Sequence, residues 1–400
     1  MWRLGFFFHE MGFGLLSVFL PLYVMSETVQ GSLVHIGILA ATALFLAIPA
    51  SFFWGYLCDR TKKYKRYILL SFVSSSIILY LFTMTTSISL LIVLYAVLSI
   101  LHVAHEAPKN VLIAESYSRT DWERSFAFYE GFTETGWLIG LLLGFLLSIS
   151  GTGATNTLYV VSALNLVAFA LSTVLIADPA LVFERGLVSI EKSIDFAYHG
   201  ISLASRILDG ERVNERLKRE NINAFCIGLI LFSLATSILF TPMPIFISNI
   251  AMTASLPASF VFAVFVLNSG GGVAGYFLAG IRSIQTVEKP NIGRVVIFRS
   301  FLALLLVLVL PTTTYQVALA TGVLIMMGFA YALFLVYTLS LSMELIPAGK
   351  AGLFNVLIGV GGACGSYFGP FIAETFEFFW VFLSAGIIFL VAYFAFKIFA

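Results

Sequence analysis

The sequence predicts an all-α membrane protein, with twelve transmembrane helices arranged as two six-helix pseudo-repeat halves. Three observations predict it. Of 400 residues, 60% are apolar and 11% charged, with a mean hydropathy of +1.00. An ordinary globular domain carries about 25% charged residues. The apolar residues fall in twelve continuous runs, and the basic residues between runs fall on one side of the membrane only.

In order, the runs lie near 4–25, 34–57, 67–85, 89–113, 126–148, 157–176, 223–248, 258–281, 295–310, 315–342, 352–372 and 378–398. Each approaches the roughly 20 apolar residues that a spanning helix needs. Barrel strands would alternate over short segments of about ten residues. Continuous runs leave helices as the spanning solution that satisfies the backbone. The first run has no basic leader and no small-residue cleavage site, so a retained first span is expected rather than a signal peptide.

Charge placement fixes the orientation. With a cytoplasmic N-terminus, the outward connections are 26–33, 86–88, 149–156, 249–257, 311–314 and 373–377. They contain no Lys or Arg and only Glu27, Glu374 and Glu377 as acids. The inward connections hold Arg60, Lys62, Lys63, Lys65 and Arg66, then Arg119 and Arg124, and the pattern continues to Lys350. The expectation is a multi-pass protein of the cell (plasma) membrane with both termini cytoplasmic. The longest polar interval separates a half at 1–176 from a half at 223–400. Within this 177–222 linker, Leu187, Ile190, Ile194, Ala197, Ile201, Ala204 and Leu208 form the apolar stripe of an amphipathic helix. Such a helix lies along the cytoplasmic surface or in the headgroups.

The halves also resemble each other. Trp54-Gly55-Tyr56-Leu57 answers Ala274-Gly275-Tyr276-Phe277, and Phe19-Leu20-Pro21 answers Phe240-Thr241-Pro242. Gly136, Gly140 and Gly144 on span five answer Gly361, Gly365 and Gly369 on span eleven. The offsets of 220, 221 and 225 residues point to tandem repeats of like orientation. The glycine series suit close helix packing.

Several function classes fall away. The 22 Lys+Arg against 21 Asp+Glu leave no basic face for nucleic acid. Cys58, Cys226 and Cys364 are far apart, which excludes a disulfide framework and argues against a cysteine metal site. No phosphate-binding loop of an ATP-driven pump is present. No nucleophile–base pair for an intramembrane hydrolase is visible, so no enzyme and no cofactor are expected.

The connection after span two reads Gly55-Tyr56-Leu57-Cys58-Asp59-Arg60-Thr61-Lys62-Lys63. It resembles the loop signature G-x-L-x-D-R-x-G-R-K of the major facilitator superfamily, at the place where that family has it. Gly55, Leu57, Asp59 and Arg60 match, and Lys63 is a basic match; Lys62 stands at the second glycine and Tyr64 at the last basic position. The second-half copy keeps Gly275 but has Ala279 opposite Asp59. The resemblance implies a cytoplasmic latch, in which Asp59 meets a helix N-terminus and Arg60 bridges to a carboxylate such as Glu115. The Gly-Pro antiporter signature of span five is absent there, and Gly369-Pro370 occurs on span eleven instead.

Ionisable side chains inside spans are functional candidates, because lipid makes them costly. Span one offers Glu10 and His9; span four offers His102, His105, Glu106 and Lys109; span five offers Glu130 and Glu134. The four on span four share a stripe about 100° wide. Glu10, Glu106 and Glu134 fall about 5–8 Å to the cytoplasmic side of their span centres. Three readings stay open for this cluster. It could couple transport to protons or another cation, or be a structural pairing of Lys109 with Glu106 or Glu134. It could instead hold a divalent metal on His102, His105, Glu106 and His9. His102-x-x-His105-Glu106 is not the His-Glu-x-x-His order, and the sequence assures no third ligand, so no metal site is assigned.

The expectation is a secondary active transporter of a small molecule, working by alternating access as a monomer in the bilayer, with the proton as coupling ion. The alternatives are a divalent-metal transporter and a transport-dead membrane sensor. A sensor should carry an added soluble domain or a long tail.

Overall fold

Backbone groups in lipid must bond internally, and every predicted run is helical in the computed structural model. The structure describes residues 2–116, 122–178, 222–282, 292–311, 315–345 and 352–399. The amphipathic stripe at 187–208 lies outside the described residues.

Spans one to three are Arg3–Val24, Leu33–Thr61 and Tyr64–Phe82. Span four is Ile88–His102 and Glu106–Ser116 around a 3-10 turn at Val103–His105. The cause of that turn is in the sequence. Pro108 has no N–H to donate, and its ring crowds the carbonyl four residues back, at Ala104. Spans five and six are Trp122–Ile149 and Ala154–Leu175. Span seven is Ile222–Phe240 continued by Met243–Thr253, with Pro242 at the junction. Spans eight to ten are Phe260–Arg282, Ile292–Val309 and Gln316–Leu345.

The last helical stretch, Gly352–Phe399, contains two spans. Its apolar part, Val356–Phe399, has 44 residues. That is about 66 Å of helix against a hydrocarbon core of about 30 Å. Glu377, with φ 73° and ψ 167°, breaks the stretch, inside the predicted outward connection. Twelve spans result among the described residues.

Glycines set how the helices of each half meet. A Cβ at Gly136 or Gly140 would strike the Phe7 or Met11 carbonyl of span one. A Cβ at Gly361, Gly365 or Gly369 would strike the Ile230, Leu234 or Ile238 carbonyl of span seven. Spans one and five therefore pack backbone to backbone, and spans seven and eleven repeat the seam about 223 residues on. Gly144 departs from the repeat and meets the Phe262 ring of span eight.

Among the described residues the two halves touch most extensively along two helix pairs. Span two meets span eleven where Gly37 lies under the Ser366 and Tyr367 carbonyls. Nearby, the Val34 N–H donates to Glu374 Oε2 at 2.7 Å. Span five meets span eight where Gly131 faces Tyr276 and Phe277, and Gly280 faces Ala127 and Phe128.

Candidate functional site: a cavity and a carboxylate cluster between the halves

A cavity of about 320 Å³ lies between the halves, a size found among small-molecule sites. Ser17 and Pro21 of span one, Tyr95 of span four and Trp137 of span five line it from the first half. Thr241 and Asn268 line it from the second. Ser17 and Pro21 share the face of span one that carries Glu10. The walls thus combine aromatic faces with a few hydrogen-bonding groups.

Beneath this cavity, toward the end that carries the basic connections, lie the predicted carboxylates. Lys109 Nζ pairs with Glu106 Oε2 at 2.6 Å, and Glu106 Oε1 lies 3.3 Å from His105 Nε2. Lys109 also sits 5.9 Å from the centre of the Tyr129 ring. Glu10 and Glu130 are half-buried and within electrostatic reach of both Lys109 and Glu106. Four carboxylates and one lysine therefore gather among spans one, four and five. Of the two structural pairings open to Lys109, the observed ion pair is with Glu106.

Glu134 has a different partner. Ser269 of span eight donates its hydroxyl to Glu134 Oε1 at 2.6 Å, across the boundary between the halves. Gly272, one turn further along span eight, leaves room for the carboxylate: a Cβ there would lie 3.5 Å from Glu134 Oε1. Asn268, the neighbour of Ser269, lines the cavity, as does Trp137, one turn from Glu134. The bond therefore lies directly below the cavity. Ser269 was missed at the sequence level, since a serine in an apolar helix carries no signal until its partner is known.

His102 and His105 flank the 3-10 turn of span four, and His9 of span one reaches them, with His9 Nε2 3.1 Å from His102 Nδ1. One nitrogen from each ring lies within 4.8 Å of the other two. The third histidine that the sequence left unassured is thus present.

A model of the Major Facilitator Superfamily matches residues 4–355. The chain belongs to that superfamily. Among solved structures, a crystal structure of a point mutant of the nucleoside transporter NupG is similar over 100% of this chain and 99% of its own. The TM-score is 0.76 at 16% identity. A second crystal structure of NupG covers 99% of this chain and 97% of its own, with a TM-score of 0.73 at 14% identity. At such identities the likeness is one of fold. The comparison with curated protein sequences returned no match.

As a member of this superfamily the chain is a multi-pass membrane transport protein. Its signature loop can be placed accordingly. Among the described residues, Gly55 faces open space, with nothing within 4 Å of a Cβ added there. Arg60 Nη1 donates to the Tyr56 hydroxyl one turn back, at 3.5 Å. Glu115 lies on the last turn of span four. Lys62 caps span two with φ 57°, the left-handed conformation that glycine adopts most readily. The glycine of the superfamily signature stands at this position, so the motif has a backbone reason there. A helix-end carboxylate does cap a neighbour nearby: Asp178 Oδ1, beyond span six, accepts from the Lys65 N–H in the first turn of span three, at 2.8 Å.

Proposed function

We propose that this chain carries a small molecule across the membrane by alternating access, and that protons drive it through Glu134, with Glu106 as a second carrier. Residues 1–176 and 223–400 are the moving halves, joined on the cytoplasmic side by 177–222. The hydrogen bond between Glu134 and Ser269 carries this reading. It links the two halves just below the cavity, and its strength depends on charge. A hydroxyl donating to an ionised carboxylate makes a bond roughly twice as strong as a neutral one. Loading a proton on Glu134 weakens the link, and losing it restores the link. A proton taken up on one side is thereby tied to separation of the halves.

The charge balance supports the same reading. Among the described residues Lys109 makes its ion pair with one of the four carboxylates, Glu106, and unpaired charge away from water costs several kcal/mol per group. Protons are the simplest remaining counter-charge. The cavity favours a compact substrate with a flat apolar face and polar edges: Tyr95 and Trp137 offer rings, while Ser17, Thr241 and Asn268 offer hydrogen bonds. Nucleosides have that chemistry, and they belong in the first compound panel.

The test uses purified protein in proteoliposomes, with and without an imposed pH gradient. A compound that the wild type accumulates under the gradient is then offered to Glu134→Gln and Glu106→Gln. Glu134→Gln should keep counterflow exchange within about twofold, because exchange needs only rocking of the loaded protein. Its gradient-driven accumulation should be lost. If both variants still accumulate substrate with the wild-type pH dependence, these carboxylates do not couple transport.

A further inference from the structure

We propose that His9, His102 and His105 form a binding site for a divalent transition-metal ion of the zinc class, inside the first half and apart from the cavity. Hydrogen bonds fix which nitrogens are available. Asn165 Nδ2 donates to the Val161 carbonyl at 2.9 Å, so its Oδ1 is the acceptor that faces His9 Nδ1 at 2.7 Å. His9 Nδ1 therefore carries the proton, and Nε2 presents a lone pair. His105 Nδ1 donates to the His102 carbonyl at 2.6 Å, which leaves Nε2 as its second ligand atom. That nitrogen is buried and makes no well-formed hydrogen bond among the described residues; its polar neighbour is Glu106 Oε1 at 3.3 Å. A histidine whose far nitrogen is held by an amide or carbonyl oxygen is the usual form of a metal ligand.

The spacing fits an ion. At zinc–nitrogen distances of about 2.0–2.1 Å, tetrahedral ligand atoms stand about 3.3 Å apart. His9 Nε2 and His102 Nδ1 are 3.1 Å apart, in a hydrogen bond that an ion would replace once the His102 proton moves to Nε2. A nitrogen from each of the three rings lies within 4.8 Å of the others, so closing on an ion takes movements of about 1.5 Å at most. In a metal-bound chain, where Glu134 alone would carry the proton, Glu106 can supply a fourth ligand. Its Oε2 is engaged by Lys109, while Oε1 faces His105 Nε2 at 3.3 Å. With the His105 proton on Nδ1, two acceptors face each other there, and a cation between them removes the conflict. A proton would serve His105 alone, whereas a metal ion engages all three rings.

The surroundings are aromatic. The ring centre of His9 lies 4.3 Å from that of Phe72, and His102 lies 4.3 Å from Phe13. Such a shell excludes competing water. Three imidazoles with a carboxylate or water suit zinc, cobalt or nickel rather than magnesium or calcium, which prefer oxygen. An ion here would fasten span one to the 3-10 turn of span four.

The experiment is metal binding to the full chain, purified in detergent without a polyhistidine tag. Co2+ should bind one per chain, with the visible absorption of a tetrahedral nitrogen-ligated ion, and Zn2+ should displace it and raise the melting temperature. His9→Ala and His102→Ala should lose the cobalt spectrum. Asn165→Ala, which keeps all three ligands, should weaken binding about tenfold. His102→Cys should restore a site with preference for Cd2+, which separates loss of a ligand from failure to fold. Absence of saturable one-to-one binding by the wild type would overturn the proposal. So would a cobalt spectrum that survives His102→Ala in folded protein. Binding is read here without transport, so the outcome is independent of the coupling reading.

Discussion

Single residues decide the local geometry of this protein through backbone constraints and charge. Lys62 is the clearest case. Its φ of 57° places an L side chain in a region that costs about 1–2 kcal/mol relative to right-handed conformations, and glycine escapes most of that cost. Lys62→Gly should therefore stabilise the folded protein by about 1 kcal/mol, read as a higher midpoint in thermal unfolding in detergent. A lower midpoint would mean that contacts of the lysine side chain outweigh the backbone term. Glu134 is the opposite case, a side chain whose chemistry depends on a partner 135 positions away. Its carboxylate was legible as a candidate because acids are rare in lipid-embedded helices. Its partner was not.

At the scale of elements, prolines and helix ends set where the spans bend and how they are held. Pro108 accounts for the turn that brings His102 and His105 beside His9, and the proline could be read from sequence although its consequence for span one could not. The first turn of span two leaves N–H groups without helical partners, and Glu374 of span eleven fills one of them at Val34. In the sequence Glu374 was only an outward-facing charge. A carboxylate at a helix N-terminus is worth about 0.3–1 kcal/mol, and this one joins the halves at the end opposite the basic loops. Glu374→Gln should shift the equilibrium toward separation of spans two and eleven by about two- to fivefold. Spin labels at the exposed positions Thr28 and Thr375 would record this as a longer-distance population. An unchanged distribution would assign the bond to local capping only.

For the whole molecule, the lipid solvent and the duplicated architecture do most of the organising. With all basic connections on one side, the expected orientation has 177–222 and both termini cytoplasmic. In a background lacking Cys58, Cys226 and Cys364, a cysteine at Ser150 should react with an impermeant reagent from outside, and one at Lys192 should not. Equal labelling would invalidate the orientation. The duplication also explains why the glycine seams of spans one and five and of spans seven and eleven match. The same backbone approach is built twice, in each half, by glycines at four-residue spacing.

The sequence by itself determined the spans, their alternation and the membership of polar residues in the first half. Each of these follows from local composition against a solvent that tolerates no unpaired backbone and little charge. It also marked Glu10, Glu106 and Glu134 as one layer, because helical rise converts residue number into depth. Only the tertiary structure decided who faces whom. Lys109 pairs with Glu106 while Glu134 bonds Ser269 across the halves, and His9 completes a histidine set with Asn165 behind it. Such pairings depend on how each helix is rotated about its axis. That rotation is set by packing against neighbours distant in sequence, through contacts such as Gly140 against Met11, which no local pattern encodes.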